Sequence, residues 1–164
     1  MQRNTKILLH KSIEYAWISF CVMLVAAIIA SMIMPPFQRT GKLNTYGDYL
    51  DVLRLSGKIL VNNAVVGFFV STLAFFGSRK AIVLFLSLSI FVWSYHFGGV
   101  IATNIYIEAV RLEFIFICLY SLVEIWAYCM LFFSIRIRSK IGAAASFLAF
   151  IIAAATEAGV ILLC

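Results

Sequence analysis

Five long apolar runs constrain what this chain can fold into. They cover roughly residues 15–34, 59–77, 81–103, 112–135 and 141–163. A run of about 20 apolar residues is long enough to cross a hydrocarbon core of roughly 30 Å as an α-helix. None of the runs alternates polar and apolar residues, as the wall of a membrane β-barrel would. The sequence therefore predicts an all-α fold, a polytopic transmembrane helical bundle with about five spans.

The composition supports a membrane location. Hydrophobic residues make up 64% of the chain and charged residues 12%, which is outside the usual range of soluble domains. The net charge of +6 does not point to nucleic acid, because the basic residues cluster at the ends of the apolar runs, where membrane topology explains them. We expect one transmembrane domain over residues 1–164, surrounded by the lipid bilayer and without a nucleic acid partner.

The distribution of basic residues predicts the orientation. If the N-terminus is cytoplasmic, the cytoplasmic side collects Arg3, Lys6, Lys11, Arg79, Lys80, Arg136, Arg138 and Lys140. The basic residues on the opposite side are accompanied by acidic ones, which is the asymmetry that the positive-inside rule describes. We therefore expect a multi-pass protein of the cell membrane with its N-terminus in the cytoplasm and its C-terminus outside.

A second helical pattern lies between the first two runs. Pro35 and Pro36 are expected to end the first helix. Over residues 46–58, charged side chains recur at spacings of three and four while apolar side chains fall on another side. This pattern predicts an amphipathic interfacial helix, an elbow along the membrane surface. The alternative is an ordinary solvated helix in a loop.

Two glutamates lie inside the predicted spans. A charge at the middle of a bilayer costs roughly 2.5 to 3.5 kcal/mol on insertion scales, so a carboxyl there normally faces protein or water. In a helix, Glu124 has Tyr120, Ser121 and Tyr128 as neighbours about one turn away. We therefore expect this face of the fourth span to point into the bundle.

Glu157 continues a series of small residues in the fifth span. The series is spaced by four residues and consists of Ala145, Ala149 and Ala153. Small residues at this spacing allow helices to approach closely, so the series predicts a helix-packing seam.

The polar residues of the spans are predicted to form one network in the outer half of the bundle. Its members are Asn62, Asn63, His96, Tyr120, Ser121, Glu124, Tyr128 and Glu157. Such residues often only hydrogen-bond helices together, with the acids in their neutral form. A proton or cation pathway is the alternative, against which we count the lack of a compensating Lys or Arg within the predicted spans.

Signatures of catalysis and metal binding are absent from the sequence. It has neither a G-x-S-x-G nucleophile elbow nor an H-E-x-x-H motif. The four cysteines have no C-x-x-C or histidine-paired spacing. We expect no enzyme activity, no catalytic residue, no bound metal and no cofactor.

Several motifs resemble those of a known family. They are the span opening "ILVNNAVVGFFVSTLAFFG", the central acid in "LYSLVEIWAY" and the last span "FLAFIIAAATEAG". Their order is similar to that of the stage II sporulation protein M-like (SpoIIM-like) family of integral membrane proteins. Asn62, Asn63, Glu124 and Glu157 match its amides and acids, whereas Leu119-Tyr120-Ser121 stands in place of its Pro-His-Gly. The resemblance implies a small multispan protein that assembles with partners.

We expect a non-enzymatic membrane scaffold or assembly subunit of a multi-protein membrane complex, as a homo-oligomer or with other membrane subunits. The first alternative is a permease-like subunit that pairs with a separate ATPase to export a hydrophobic or lipid-like solute. The second is an accessory subunit of an energy-converting or secretion complex.

Overall fold

A computed structural model describes residues 2–33, 49–77, 79–106 and 112–163 of the chain. These residues form five α-helices, namely α1 Gln2–Ile33, α2 Tyr49–Phe76, α3 Arg79–Tyr106, α4 Leu112–Arg136 and α5 Lys140–Leu163. Each helix contains nearly all of one of the five predicted apolar runs. The prediction of an all-α helical bundle is confirmed.

Four stretches of these helices are long and apolar enough to cross a membrane. They are Leu9–Ile33, Leu53–Phe76, Ile115–Arg136 and Lys140–Val160. In α3, the apolar stretch Lys80–Ser94 is shorter. The lengths and composition of the helices are those of a membrane protein.

The structure differs from the prediction in the segment before the second span. α2 runs without interruption from Tyr49 to Phe76, so residues 49–58 are its first turns and not a separate interfacial helix. The first part of the predicted interfacial helix, residues 46–48, lies outside the described residues. A single glycine such as Gly57 costs a helix only about 1 kcal/mol relative to alanine, which is too little to separate two segments that both favour a helix.

α4 is the central helix of the bundle. It packs against α5, α1 and α2, while α1 also packs against α3 and α2 also packs against α5. The interfaces between α2 and α3 and between α3 and α4 are smaller. Accordingly, α4 supplies many of the most buried side chains, among them Ile125, Ala127, Tyr128, Cys129 and Phe132.

Contacts between the helices fix their directions. The indole of Trp126 in α4 donates a hydrogen bond to the Ser12 hydroxyl in α1 over 3.2 Å, and the rings of Tyr15 and Phe133 lie 5.3 Å apart. The start of α1 therefore lies beside the end of α4. At the same end, the Arg136 guanidinium donates to the carbonyl of Gly77, over 2.6 Å, and so joins the end of α4 to the end of α2.

This end of the bundle carries most of the basic residues that the structure describes. They are Lys6, Lys11, Lys80, Arg136, Arg138 and Lys140. We call it the basic end. The opposite end is formed by the ends of α1, α3 and α5 and the starts of α2 and α4.

The turn between α4 and α5 holds a non-glycine residue in the left-handed conformation. Arg138 has a φ of 56°. The amide of Ser139 donates to the carbonyl of Ser134 over 2.8 Å, and the amide of Arg138 donates to that of Ile135 over 3.1 Å. This is the Schellman pattern of a helix C-terminus, whose left-handed position favours glycine.

Replacing Arg138 by glycine is expected to raise the free energy of unfolding by roughly 0.5 to 1 kcal/mol. The Cβ atom makes the left-handed conformation unfavourable, and the gain from its removal exceeds the extra entropy that glycine gives the unfolded chain. The measurement is reversible unfolding in mixed detergent micelles. Arg138→Ala is the matched control, because it removes the charge but keeps the Cβ; an equal gain in both variants would contradict the explanation.

Candidate functional site

A polar cleft lies among four of the helices. It has a volume of about 310 Å³ and is lined by Lys58, Ile59, Asn62, Asn63, Trp93, Glu124 and Glu157. These residues come from the first half of α2, the middle of α3 and α4, and the last third of α5. The cleft therefore extends from the middle of the bundle toward the end opposite the basic end. We call it the polar cleft.

α2 presents three polar side chains to the cleft. Lys58 and Asn62 are four residues apart, as are Ile59 and Asn63, so all four lie on neighbouring positions of one helix face. Lys58 and Asn62 are exposed, whereas only 3% of Asn63 is exposed. α2 thus lines the cleft from a solvated rim at Lys58 to a buried wall at Asn63.

The side chain of Asn63 has an unsatisfied donor. Its Nδ2 atom is buried and has no hydrogen-bond partner among the described residues. A buried donor without an acceptor costs about 1 to 3 kcal/mol, and large majorities of buried side-chain polar atoms are paired. Asn63 lines the polar cleft, so a rotation of its amide group would present this donor to an occupant of the cleft.

Glu124 is positioned by the side chain one turn further along α4. The hydroxyl of Tyr128 donates a hydrogen bond to Oε1 of Glu124 over 3.2 Å. Only 1% of Tyr128 is exposed. Its ring lies 5.6 Å from that of Phe85, 6.5 Å from that of Trp93 and 4.8 Å from that of Phe150. This aromatic cluster from three helices fixes the tyrosine, which in turn orients the carboxyl.

The hydrogen bond between Tyr128 and Glu124 lies within α4 and does not connect two helices. This bears on the interpretation that the acids only hold the bundle together, because a packing role would be served by a bond across an interface. The partly buried carboxyl of Glu124 instead lines a cleft.

Glu157 lies on α5 and is partly buried. It lines the same cleft as Glu124. Of the predicted alanine seam on the same helix, Ala149 and Ala153 are buried, and Ala145 is partly buried and packs against the core. The seam therefore lies against the bundle and carries Glu157 to the cleft.

The structure brings together most of the predicted polar network. Asn62, Asn63, Glu124 and Glu157 line the cleft. Among the other predicted members, Tyr128 binds Glu124, Tyr120 is partly buried near both acids, and Ser121 is buried. His96 belongs to α3, but its side chain lies outside the part of the chain that the structure describes.

Three lining residues, Lys58, Ile59 and Trp93, are missing from the predicted network. The sequence pattern places Lys58 in the interfacial helix, and the lack of a basic residue within the predicted spans argues against a cation pathway. Because α2 is continuous, Lys58 reaches the same cleft as the two glutamates. Its spacing of four residues from Asn62 is the sequence signal that indicates this position.

The cleft contains acidic and basic groups, and it contains both hydrogen-bond donors and acceptors. Its carboxyls accept hydrogen bonds, the ammonium group of Lys58 donates them, and the amides of Asn62 and Asn63 do both. Among the described residues, no group of three or more His, Cys, Asp or Glu side chains could hold a metal ion. The arrangement is suited to binding a small polar molecule.

The chain matches no family model, no curated protein and no solved structure.

Proposed function

We propose that this chain is a non-enzymatic membrane scaffold or assembly subunit of a multi-protein membrane complex. The observation that carries the proposal is the outward face of α2. In the apolar stretch of this helix only 22% of the residues are buried, the lowest share among the four span-length helices. Phe68, Phe69, Phe75 and Phe76 are 76%, 55%, 75% and 82% exposed. A helix that packs so little within its own bundle leaves a large aromatic surface for a neighbouring membrane protein.

The resemblance to the SpoIIM-like family supports the same proposal. It rests on the amides that open the second span, the central acid of the fourth span and the late acid of the fifth. The family implies a small multispan protein that works in an assembly. The partners would be further copies of this chain or other membrane subunits.

The proposal includes an orientation. The basic end carries the start of α1 together with the turn between α4 and α5. Under the positive-inside rule this end faces the cytoplasm, and the end of α5 faces outward. The polar cleft then belongs to the outer half of the membrane.

Photo-crosslinking in native membranes tests the assembly proposal. A photoreactive amino acid is placed at Phe75 or Phe76 on α2, and at Ile18 on the exposed face of α1 as a control. We expect the α2 positions to capture one or more proteins at a fixed stoichiometry, and the complex to survive extraction in mild detergent and native mass spectrometry. A monomeric protein whose α2 positions capture only lipid, as the control does, would refute the proposal.

The polar cleft favours a second candidate, a permease-like subunit. Such a subunit would pair with another copy and with a separate ATPase at the basic end, and the cleft would hold part of the solute. Co-purification of an ATPase with a dimer of this chain would favour this candidate. An accessory subunit of an energy-converting or secretion complex would instead co-purify with the other subunits of that complex.

A further inference from the structure

We propose that the polar cleft binds a small zwitterion, a molecule that carries a primary ammonium group and an anionic group a few bonds apart. This inference does not depend on the proposed function, because a scaffold and a permease could each contain such a site. It rests on the unsatisfied donor of Asn63, the charges around the cleft and the size of the cleft.

The side of the cleft that α2 forms needs an acceptor. The Nδ2 atom of Asn63 is buried and has no hydrogen-bond partner among the described residues. Lys58 lies five residues earlier on α2 and lines the same cleft. An anionic group in the cleft can accept a hydrogen bond from the amide and from the ammonium group of Lys58, and bonds to charged groups are stronger than neutral ones.

The side that α4 and α5 form needs a donor. Glu124 and Glu157 line the cleft from α4 and α5. A primary ammonium group has three N–H donors and can bind both carboxyls at once. The ring of Trp93 also lines the cleft, and an aromatic face attracts a cation.

The size of the cleft limits the ligand. A volume of about 310 Å³ is at the lower end of the range for small-molecule sites, which is roughly 300 to 1,000 Å³. A compound as small as ethanolamine phosphate carries both required groups. A simple cation would pair only with the carboxyls of the cleft, and a simple anion only with Lys58 and Asn63.

Two kinds of molecule contain this pair of groups. One is a free zwitterion in solution, and the other is the lipid phosphatidylethanolamine, whose headgroup has a primary ammonium group and a phosphate. The cleft reaches from the middle of the bundle toward one end, so that either molecule has access from that end.

Calorimetry on the purified full chain, in nanodiscs of phosphatidylcholine, tests whether the cleft binds both charged groups of the ligand. The headgroup of this lipid has no N–H donor and cannot replace the primary ammonium group. The probe is O-phosphoethanolamine. Ethanolamine, which has only the ammonium group, and inorganic phosphate, which has only the anionic group, are the controls. We expect O-phosphoethanolamine to bind at least roughly tenfold more tightly than either control, since each lacks one charge-assisted interaction.

Variants test which residues bind each charged group of the ligand. Glu157→Gln and Lys58→Met are each expected to weaken binding of O-phosphoethanolamine at least roughly tenfold. Their matched controls are Glu14→Gln and Lys11→Met, an acid and a base of α1 that do not line the cleft, and binding should be unchanged in both. Circular dichroism and gel filtration confirm that each variant is folded. If Glu157→Gln does not fold, Glu124→Gln tests the contact to the ammonium group and Lys58→Met still tests the contact to the anionic group.

A second experiment distinguishes a free zwitterion from a lipid headgroup as the ligand. Native mass spectrometry measures phosphatidylethanolamine retained from mixed nanodiscs by the wild type and the same variants. Retention that is lost in Glu157→Gln and Lys58→Met, without binding of the soluble probe, assigns the site to the lipid headgroup. Binding of the soluble probe without lipid retention assigns it to a free solute. The proposal is overturned if ethanolamine binds as tightly as O-phosphoethanolamine, or if the folded wild type binds neither the probe nor the lipid.

Discussion

Tyr128→Ala is expected to lower the free energy of unfolding by about 3 kcal/mol. The side chain is 1% exposed and its ring contacts Phe85, Trp93 and Phe150 on two other helices. Removing a large buried aromatic side chain usually costs about 3 to 5 kcal/mol, part of which is transfer from water and part the cavity left behind. Within a membrane the transfer contribution is small because lipid is also apolar, so we expect a value at the lower end.

Tyr128→Phe separates the ring from the hydroxyl group. This variant keeps the aromatic cluster and removes the hydrogen bond to Glu124, which is expected to cost about 1 kcal/mol. Phe91→Ala is the surface control, because Phe91 is 79% exposed and its loss should change stability by less than about 0.5 kcal/mol. The measurement is reversible unfolding in mixed micelles, followed by circular dichroism. A Phe variant as unstable as the Ala variant would show that the hydroxyl, and not the ring, stabilises the bundle.

Gly98→Ala is expected to lower the free energy of unfolding by about 1 to 3 kcal/mol, the usual cost of overpacking. A Cβ atom at Gly98 of α3 would lie 2.8 Å from the Cβ of Ala30, 3.2 Å from the carbonyl oxygen of Ala27 and 3.3 Å from the amide nitrogen of Ser31, all in α1. Two of these atoms belong to the backbone and cannot rotate away. The methyl group fits only if α1 and α3 move apart.

Gly57→Ala and Gly159→Ala are the matched controls for Gly98→Ala. A Cβ atom at either position would have nothing within 4 Å apart from its chain neighbours and the nearby backbone of its own helix. Because alanine favours a helix more than glycine does, both controls should be neutral or more stable by up to about 1 kcal/mol. If Gly98→Ala gained stability as the controls do, the close approach of α1 and α3 would be wrong.

The five helices could be predicted from the sequence because each apolar run is long enough to span a bilayer, and no other structure satisfies its backbone there. The boundary of α2 could not be predicted in the same way. The amphipathic pattern of residues 46–58 is genuine, but a period of 3.6 residues does not reveal whether a helix bends away from the next span or continues into it. The unbroken course of α2 follows from the lack of a helix breaker between the two segments, because the single Gly57 costs too little to separate them.

Most of the polar cleft could also be predicted. Polar groups are costly in a membrane, so Asn62, Asn63, Glu124 and Glu157 were expected to face one another. The position of Lys58 could not be inferred with them, because it depends on α2 continuing through residue 58. The place of Trp93 depends on which helices are neighbours, and no local pattern encodes that.

The packing order of the helices has a consequence for biogenesis. α2 packs against α5 and α4, which both follow it in the chain, whereas its immediate successor α3 packs mainly against α1. During synthesis, α1 and α3 can therefore pair early. α2 enters the membrane before its principal partners, α4 and α5, have been made. Asn63 faces its cleft only after the last helix has been inserted. Completion of the polar cleft is thus a late event, because it requires the C-terminal helix.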